Sequence, residues 1–241
     1  MYSFHDLITT PFGGGINALC WQRTLPGDFT EIVGQLSMSP SRLVGTGQVS
    51  SSATLQAKPE GTIPIDETWL TSLPVSPAGK TAIEILLEDQ RQLRAHGFSP
   101  ILDCIHGYPR DDATEPVPTD VYSFHVDSAT TQTDTWLCTY HGAPSEGLRN
   151  DQALRRIDIP ETRAKLLKTY GGEDDAGFLE YLGENCYDLH YAPMPDARPF
   201  SFGIGNLWRI AVQYPGSPVP ACIHRAPETD PDSTPRLLLI S

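Results

Sequence analysis

Tyr122-Ser-Phe-His-Val-Asp127 alternates as a β-strand does, and side chains two apart on a strand share a face. His125 and Asp127 can therefore present an imidazole and a carboxylate side by side. The pair alone is weak: 7 His and 30 acidic residues in a chain of 241 yield roughly one His-x-Asp/Glu match by chance. Its context lies near the C-terminus. Residues 220–224 read as a strand ending on His224, and 225–235 hold Pro227, Pro231 and Pro235 and read as a loop. Residues 236–240 form a strand with Arg236, Leu238 and Ile240 on one face. If these two strands pair as an antiparallel hairpin, His224 and Arg236 meet across the ladder. An Arg among apolar inward neighbours needs an anion.

Working outward, 22 Pro and 20 Gly punctuate short runs rich in Val, Ile, Leu, Thr and aromatics, which favours many short strands. A strand and then a short helix at 28–36 are expected within 16–36, and strand and loop over 39–62. Thr81 to His96 reads as the best helix, with Ile83, Leu86, Leu87 and Leu93 on one side and Gly97 as its stop. Helices are also expected at 160–170, ended by Gly171 and Gly172, and at 174–182. Residues 110–119 read as loop. The spacing predicts a mainly β, α+β chain with flanking helices around a jelly-roll (double-stranded β-helix) core. It reads as a single domain over 1–241, with a cap over about 1–100 and a metal-binding core over about 101–241.

The net charge of −13 and the lack of a dense Lys/Arg cluster disfavour nucleic acid and anionic membranes as partners. The strongest basic group, Arg155, Arg156, Arg163, Lys165 and Lys168, reads as the solvent face of a helical region. The N-terminus lacks a basic stretch followed by an apolar one, and no run approaches membrane-spanning length, so a cytoplasmic protein is expected. Five scattered cysteines without a CxxC pair read as small buried hydrophobes rather than a disulfide or structural zinc framework.

Two His and one carboxylate with open positions make the facial triad of non-haem iron(II) oxygenases. Neutral imidazoles and a hard carboxylate suit Fe(II), and the open positions admit a bidentate 2-oxo acid together with dioxygen. Other residues are weighed beside the triad. Tyr140 shares a strand face with Trp136 and Cys138, and is as readily an interior aromatic as a cosubstrate contact. His141 points the other way and is structural or substrate-side. Trp136 and Arg225 are further substrate-side candidates, Arg225 also as a competing anion clamp. His106 and His190 read as surface or capping residues that a three-His site could recruit. Gly13-Gly14-Gly15 lacks the Lys-Ser/Thr of a phosphate loop and reads as a turn. Residues 202–206 lack a dinucleotide fingerprint, and Ser128 and Ser145 lack triad partners.

His125-x-Asp127, a distant His224 and Arg236 twelve residues on resemble the Fe(II)/2-oxoglutarate-dependent dioxygenase superfamily. More narrowly, the chain resembles the bacterial family DUF1826, which has no assigned activity. That resemblance rests on Gly15-Ile-Asn-Ala-Leu-Cys-Trp-Gln-Arg23, Phe124-His-Val-Asp127, Thr139-Tyr-His-Gly-Ala-Pro144, and His224-Arg-Ala-Pro227 followed by Arg236-Leu-Leu-Leu239. His141 and Ser145 depart from its pattern, which has Arg and Gly there. The resemblance implies that His125, Asp127 and His224 bind iron and that Arg236 holds the distal carboxylate of 2-oxoglutarate. The expected function is oxygenation of a small polar metabolite or amino acid. The rivals are a cupin-type dioxygenase without 2-oxoglutarate, a non-catalytic zinc-binding or homeostasis protein, and a metal-free jelly-roll binding module.

Overall fold

Two sheets of unequal size organise the chain, seen in a computed structural model that describes residues 1–37, 61–111, 116–228 and 234–241. In order, the elements are α1 (Phe4–Thr9), β1 (Ala18–Trp21), α2 (Phe29–Ser37), β2 (Thr62–Pro64), α3 (Glu67–Ser72), α4 (Pro77–Ala95), β3 (Ile101–Ile105), β4 (Asp134–His141), β5 (Glu146–Leu148), β6 (Ala153–Arg155), α5 (Pro160–Tyr170), α6 (Ala176–Glu184), β7 (Tyr191–Pro193), β8 (Phe200–Ser201), β9 (Leu207–Ala211), β10 (Ile223–Arg225) and β11 (Arg236–Ile240). The fold is mixed α+β. Of the strand and loop expected over 39–62, all but residues 61 and 62 lie outside the described residues.

The large sheet is antiparallel, with strand order β1-β9-β4-β11-β3-β2. Its central strands β4 and β11 are buried on both faces, which is why Arg236-Leu-Leu-Leu-Ile240 is apolar almost throughout. One face carries Trp136, Cys138, Tyr140, Leu237 and Leu239 and packs against α1 to α4. Within that layer α4 buries Ala82, Ile83, Leu86 and Leu93, a stripe at helical spacing. Ser76 caps its first turn, Pro77 opens it, and Gly97 at φ +86° lets the chain turn off its end. The N-terminal residues are more than a cap, since β1 and β2 form both edges of this sheet.

The other face carries Ile105, Leu137, Ile210 and Leu238, which pack with Phe202 and Cys222 from the side of a smaller sheet, β10-β5-β8. That smaller sheet continues through single-residue bridges from His224 to His125 and from His125 to His190, next to the β6–β7 ladder. Phe124, Val126, Leu148 and Ile223 fill a separate cluster on its outer side. Their alternation turns His125, Asp127, Cys222 and His224 toward the large sheet. α5 and α6 pack on each other with Ile157 and Tyr187, and Gly171 at φ +75° closes α5.

Several expectations are corrected. The strands at 223–225 and 236–240 are not a hairpin: β10 pairs with β5, and β11 with β3 and β4, in different sheets. Of the basic group, Arg163, Lys165 and Lys168 lie on α5, with both lysines exposed, but Arg155 lies in strand β6 and the half-buried Arg156 opens a 3-10 turn after it. Cys104, Cys138 and Cys222 are buried, but Cys186 is exposed. Among the described residues, no helix is long and apolar enough to cross a membrane.

Candidate metal centre

His125, Asp127 and His224 converge: one ligand atom from each lies within 4.8 Å of the others. The backbone produces this. His125 and His224 exchange both main-chain hydrogen bonds, each 2.9 Å, so they are direct cross-strand partners on one face. Their ring centroids lie 4.6 Å apart. Asp127 follows two residues along the same face, and its Oδ1 lies 3.8 Å from His224 Nε2.

The surrounding hydrogen bonds orient these groups. His125 Nδ1 lies 2.7 Å from the Ser123 carbonyl and His224 Nδ1 3.2 Å from the Cys222 carbonyl. A carbonyl only accepts, so each ring donates through Nδ1–H and keeps a lone pair on Nε2, the tautomer a metal ligand needs. The Thr135 hydroxyl donates to Asp127 Oδ2, which leaves Oδ1 toward the histidines. Burial, then the neighbouring His224, lowers the His125 pKa to about 4. Its imidazole is therefore neutral at ordinary pH, as ligation requires. Two imidazoles and one carboxylate on one sheet face suit a hard-to-borderline divalent ion with vacant positions.

Arg236 is 1 % exposed and projects from β11 into the space between the sheets. Its Nε donates to the Ala143 carbonyl (2.8 Å), and one Nη2–H donates to the Ser145 hydroxyl (3.0 Å). The Tyr108 phenol lies beside it. Among the described residues no carboxylate pairs with it, and burial lowers its pKa. Ser145 precedes Gly147 by two residues, and Gly147 is the cross-strand partner of His224. Strand spacings therefore put Ser145 roughly 8 Å from His224 at backbone level. At Gly147 a Cβ would clash with Phe200, so the ring of Phe200 covers this position.

Other sequence candidates lie elsewhere. Tyr140 and Trp136 occupy the helix side of the large sheet. Tyr140 donates to Asp89 (2.6 Å), which also receives a bidentate bond from Arg23. Neither ring reaches the intersheet space, because strand alternation turns both away from it. Arg225 is next to His224 and so points to the outer side, where it pairs with Glu146 and lies over Phe124. His141 is held against the Pro235 carbonyl. His106 stands beside Cys104. A groove of about 760 Å³ lined by Trp21, Arg23, Glu88 and Asp89 opens on the helix side, away from the His–Asp–His group.

His190 was read as a surface or capping residue but is 4 % exposed. It is the second cross-strand neighbour of His125, with ring centroids 5.6 Å apart. Burial, then His125, lowers its pKa to about 4. The cue in sequence was slight: a turn directly precedes it, so no alternating run marks its face. Comparison of the chain with protein-family models, with curated proteins and with solved structures finds no match.

Proposed function

We propose that this protein is a non-haem Fe(II)/2-oxoglutarate-dependent oxygenase with a jelly-roll core and DUF1826-like kinship, acting on a small polar metabolite. The observations that carry the reading are the convergence of His125, Asp127 and His224 and a buried Arg236 that pairs with no carboxylate among the described residues. A guanidinium enclosed without a counter-ion is costly, and a cosubstrate carboxylate supplies the missing charge in a bidentate geometry. Ser145, which holds the guanidinium, lies roughly 8 Å from His224 at backbone level, and a short dicarboxylate with one end at the metal spans a gap of that order. Ser145, which stands where the resemblance has Gly, steadies the guanidinium for that contact.

Bound together, Fe(II) and 2-oxoglutarate would supply dioxygen activation and oxidation of a C–H bond. The chain's own residues do the positioning. Ser123 and Cys222 carbonyls hold the two rings, Thr135 holds Asp127, and Arg236 fixes the cosubstrate. Phe200, Phe202 and Trp208, stacked together, help keep water out of the intersheet space.

Adding 2-oxoglutarate to the anaerobic Fe(II) protein tests this. A visible charge-transfer band that saturates near one equivalent is expected. Iron uptake without that band would move the reading to a cupin-type dioxygenase, and tight zinc without oxygen consumption would move it to a metal-handling protein.

A further inference from the structure

The row of cross-strand partners in the smaller sheet does not stop at the metal ligands. Gly147, His224, His125 and His190 follow one another across the strands. One residue beyond the β6–β7 register, Arg156 opens a short 3-10 turn; its N–H donates to the His190 carbonyl (2.9 Å), and its guanidinium acts electrostatically on the His190 ring. Direct cross-strand partners share a face. His190 and Arg156 therefore stand beside the metal ligands, on the side of His125 away from His224 and Gly147.

Both are short of partners. His190 Nδ1 and Arg156 Nε are buried and make no hydrogen bond among the described residues. Arg156 forms no ion pair with any described carboxylate, and burial lowers its pKa. Among the described residues, the two carboxylates in electrostatic range of His190 are engaged in their own loop. Asp111 accepts from the backbone and hydroxyl of Thr119, and Asp120 from the backbone of Asp111, Tyr122 and Ser123. Two neighbouring buried polar groups, one a guanidinium, thus stand without hydrogen-bond partners among the described residues, where native interiors satisfy nearly all of theirs.

We propose that His190 and Arg156 form a carboxylate-binding subsite that anchors the substrate, which is a short carboxylic acid held with its carbon chain toward the metal. Arg156 supplies the planar fork and His190 a second donor through Nδ1. The His125–His190 spacing of 5.6 Å places the acid group one strand from the ligand sphere. A chain of a few carbons then reaches the vacant positions. The role of the subsite in a reaction rests on the oxygenase reading, but its affinity for carboxylates does not.

The test uses the full chain labelled with 15N-histidine, followed through its imidazole signals. Acetate is the probe, inorganic phosphate the comparison, and Zn(II) a separate titration. Acetate should perturb the His190 signals saturably below about 100 mM. Arg156→Gln should weaken that binding tenfold or more, while Arg149→Gln, at an exposed arginine, should not. Retained Zn(II) shifts at His125 and His224 in the Arg156→Gln protein show that the fold survives. Lack of a saturable acetate effect, equal affinity in Arg156→Gln, or binding of phosphate but not acetate would each overturn the proposal. Should Zn(II) leave His125 and His224 unmoved while acetate still acts on His190, the metal reading fails and the carboxylate subsite stands.

Discussion

Replacing Arg236 by Met separates what the residue does for the fold from what it does for a ligand. The substitution removes hydrogen bonds to the carbonyl of the exposed residue Ala143 and to the Ser145 and Thr139 hydroxyls, leaving these two buried hydroxyls short of a partner. Each such loss costs about 1–3 kcal/mol. Against this, a buried guanidinium with no carboxylate partner among the described residues is removed, and its desolvation penalty is of order several kcal/mol. The two effects oppose, so the ligand-free protein should change in stability by less than about 2 kcal/mol. Binding behaves differently. Two charge-assisted bonds to a carboxylate contribute about 3–6 kcal/mol, a factor of about 10² to 10⁴ in affinity. Urea unfolding of the metal-free protein and anaerobic 2-oxoglutarate titration of the Fe(II) protein read the two quantities. A loss of more than about 4 kcal/mol in stability with unchanged cosubstrate affinity would show that Arg236 is a structural strut and refute the reasoning.

Thr135→Val frees Asp127 Oδ2 and should lower metal affinity about 10- to 100-fold by competition titration; unchanged affinity would remove Thr135 from the site. Gly147→Ala drives a methyl into the Phe200 and Phe202 rings and should cost about 1–3 kcal/mol in urea unfolding while weakening metal binding at the neighbouring His224; a neutral result would mean the rings yield freely. Asp89→Ala strands the buried Arg23 and should cost about 3–5 kcal/mol, yet leave metal uptake intact because Asp89 lies on the far side of the large sheet; lost uptake would contradict that separation. His125 and His190 have pKa values lowered from 6.5 to about 4 in the fold. The unfolded chain therefore binds more protons between those limits, so metal-free stability is full above about pH 6.5 and falls as pH drops toward 4, by up to about 3 kcal/mol for each. Equal urea midpoints at pH 7.5 and 5 would refute this.

The convergent trio was legible because each part left a local mark. His125-x-Asp127 alternates within an apolar run, and His224 precedes a Pro-rich loop. The helix at 77–95 was legible from its apolar stripe and Gly97, although its first turn, set by Ser76 and Pro77, was placed four residues late. Strand pairing was not legible. Leu237 and Leu239 face the helices while Leu238 faces the smaller sheet, and a strand apolar on both faces does not announce its neighbours. The hairpin expected with 220–224 therefore failed. Tyr140 and Trp136 were assigned correctly to one face, but nothing local told which face looked at the metal ligands. His190 and Arg156 escaped because a short 3-10 turn adjoins each, and their shared face exists only once β6 and β7 pair.

Iron-edge anomalous scattering from crystals of the anaerobically Fe(II)-loaded chain tests the central claim most directly. The account predicts one peak per chain, bonded to His125 Nε2, His224 Nε2 and an Asp127 oxygen, with its remaining positions facing the space between the sheets. Iron bound elsewhere, or no peak between these three side chains at full loading, would contradict it.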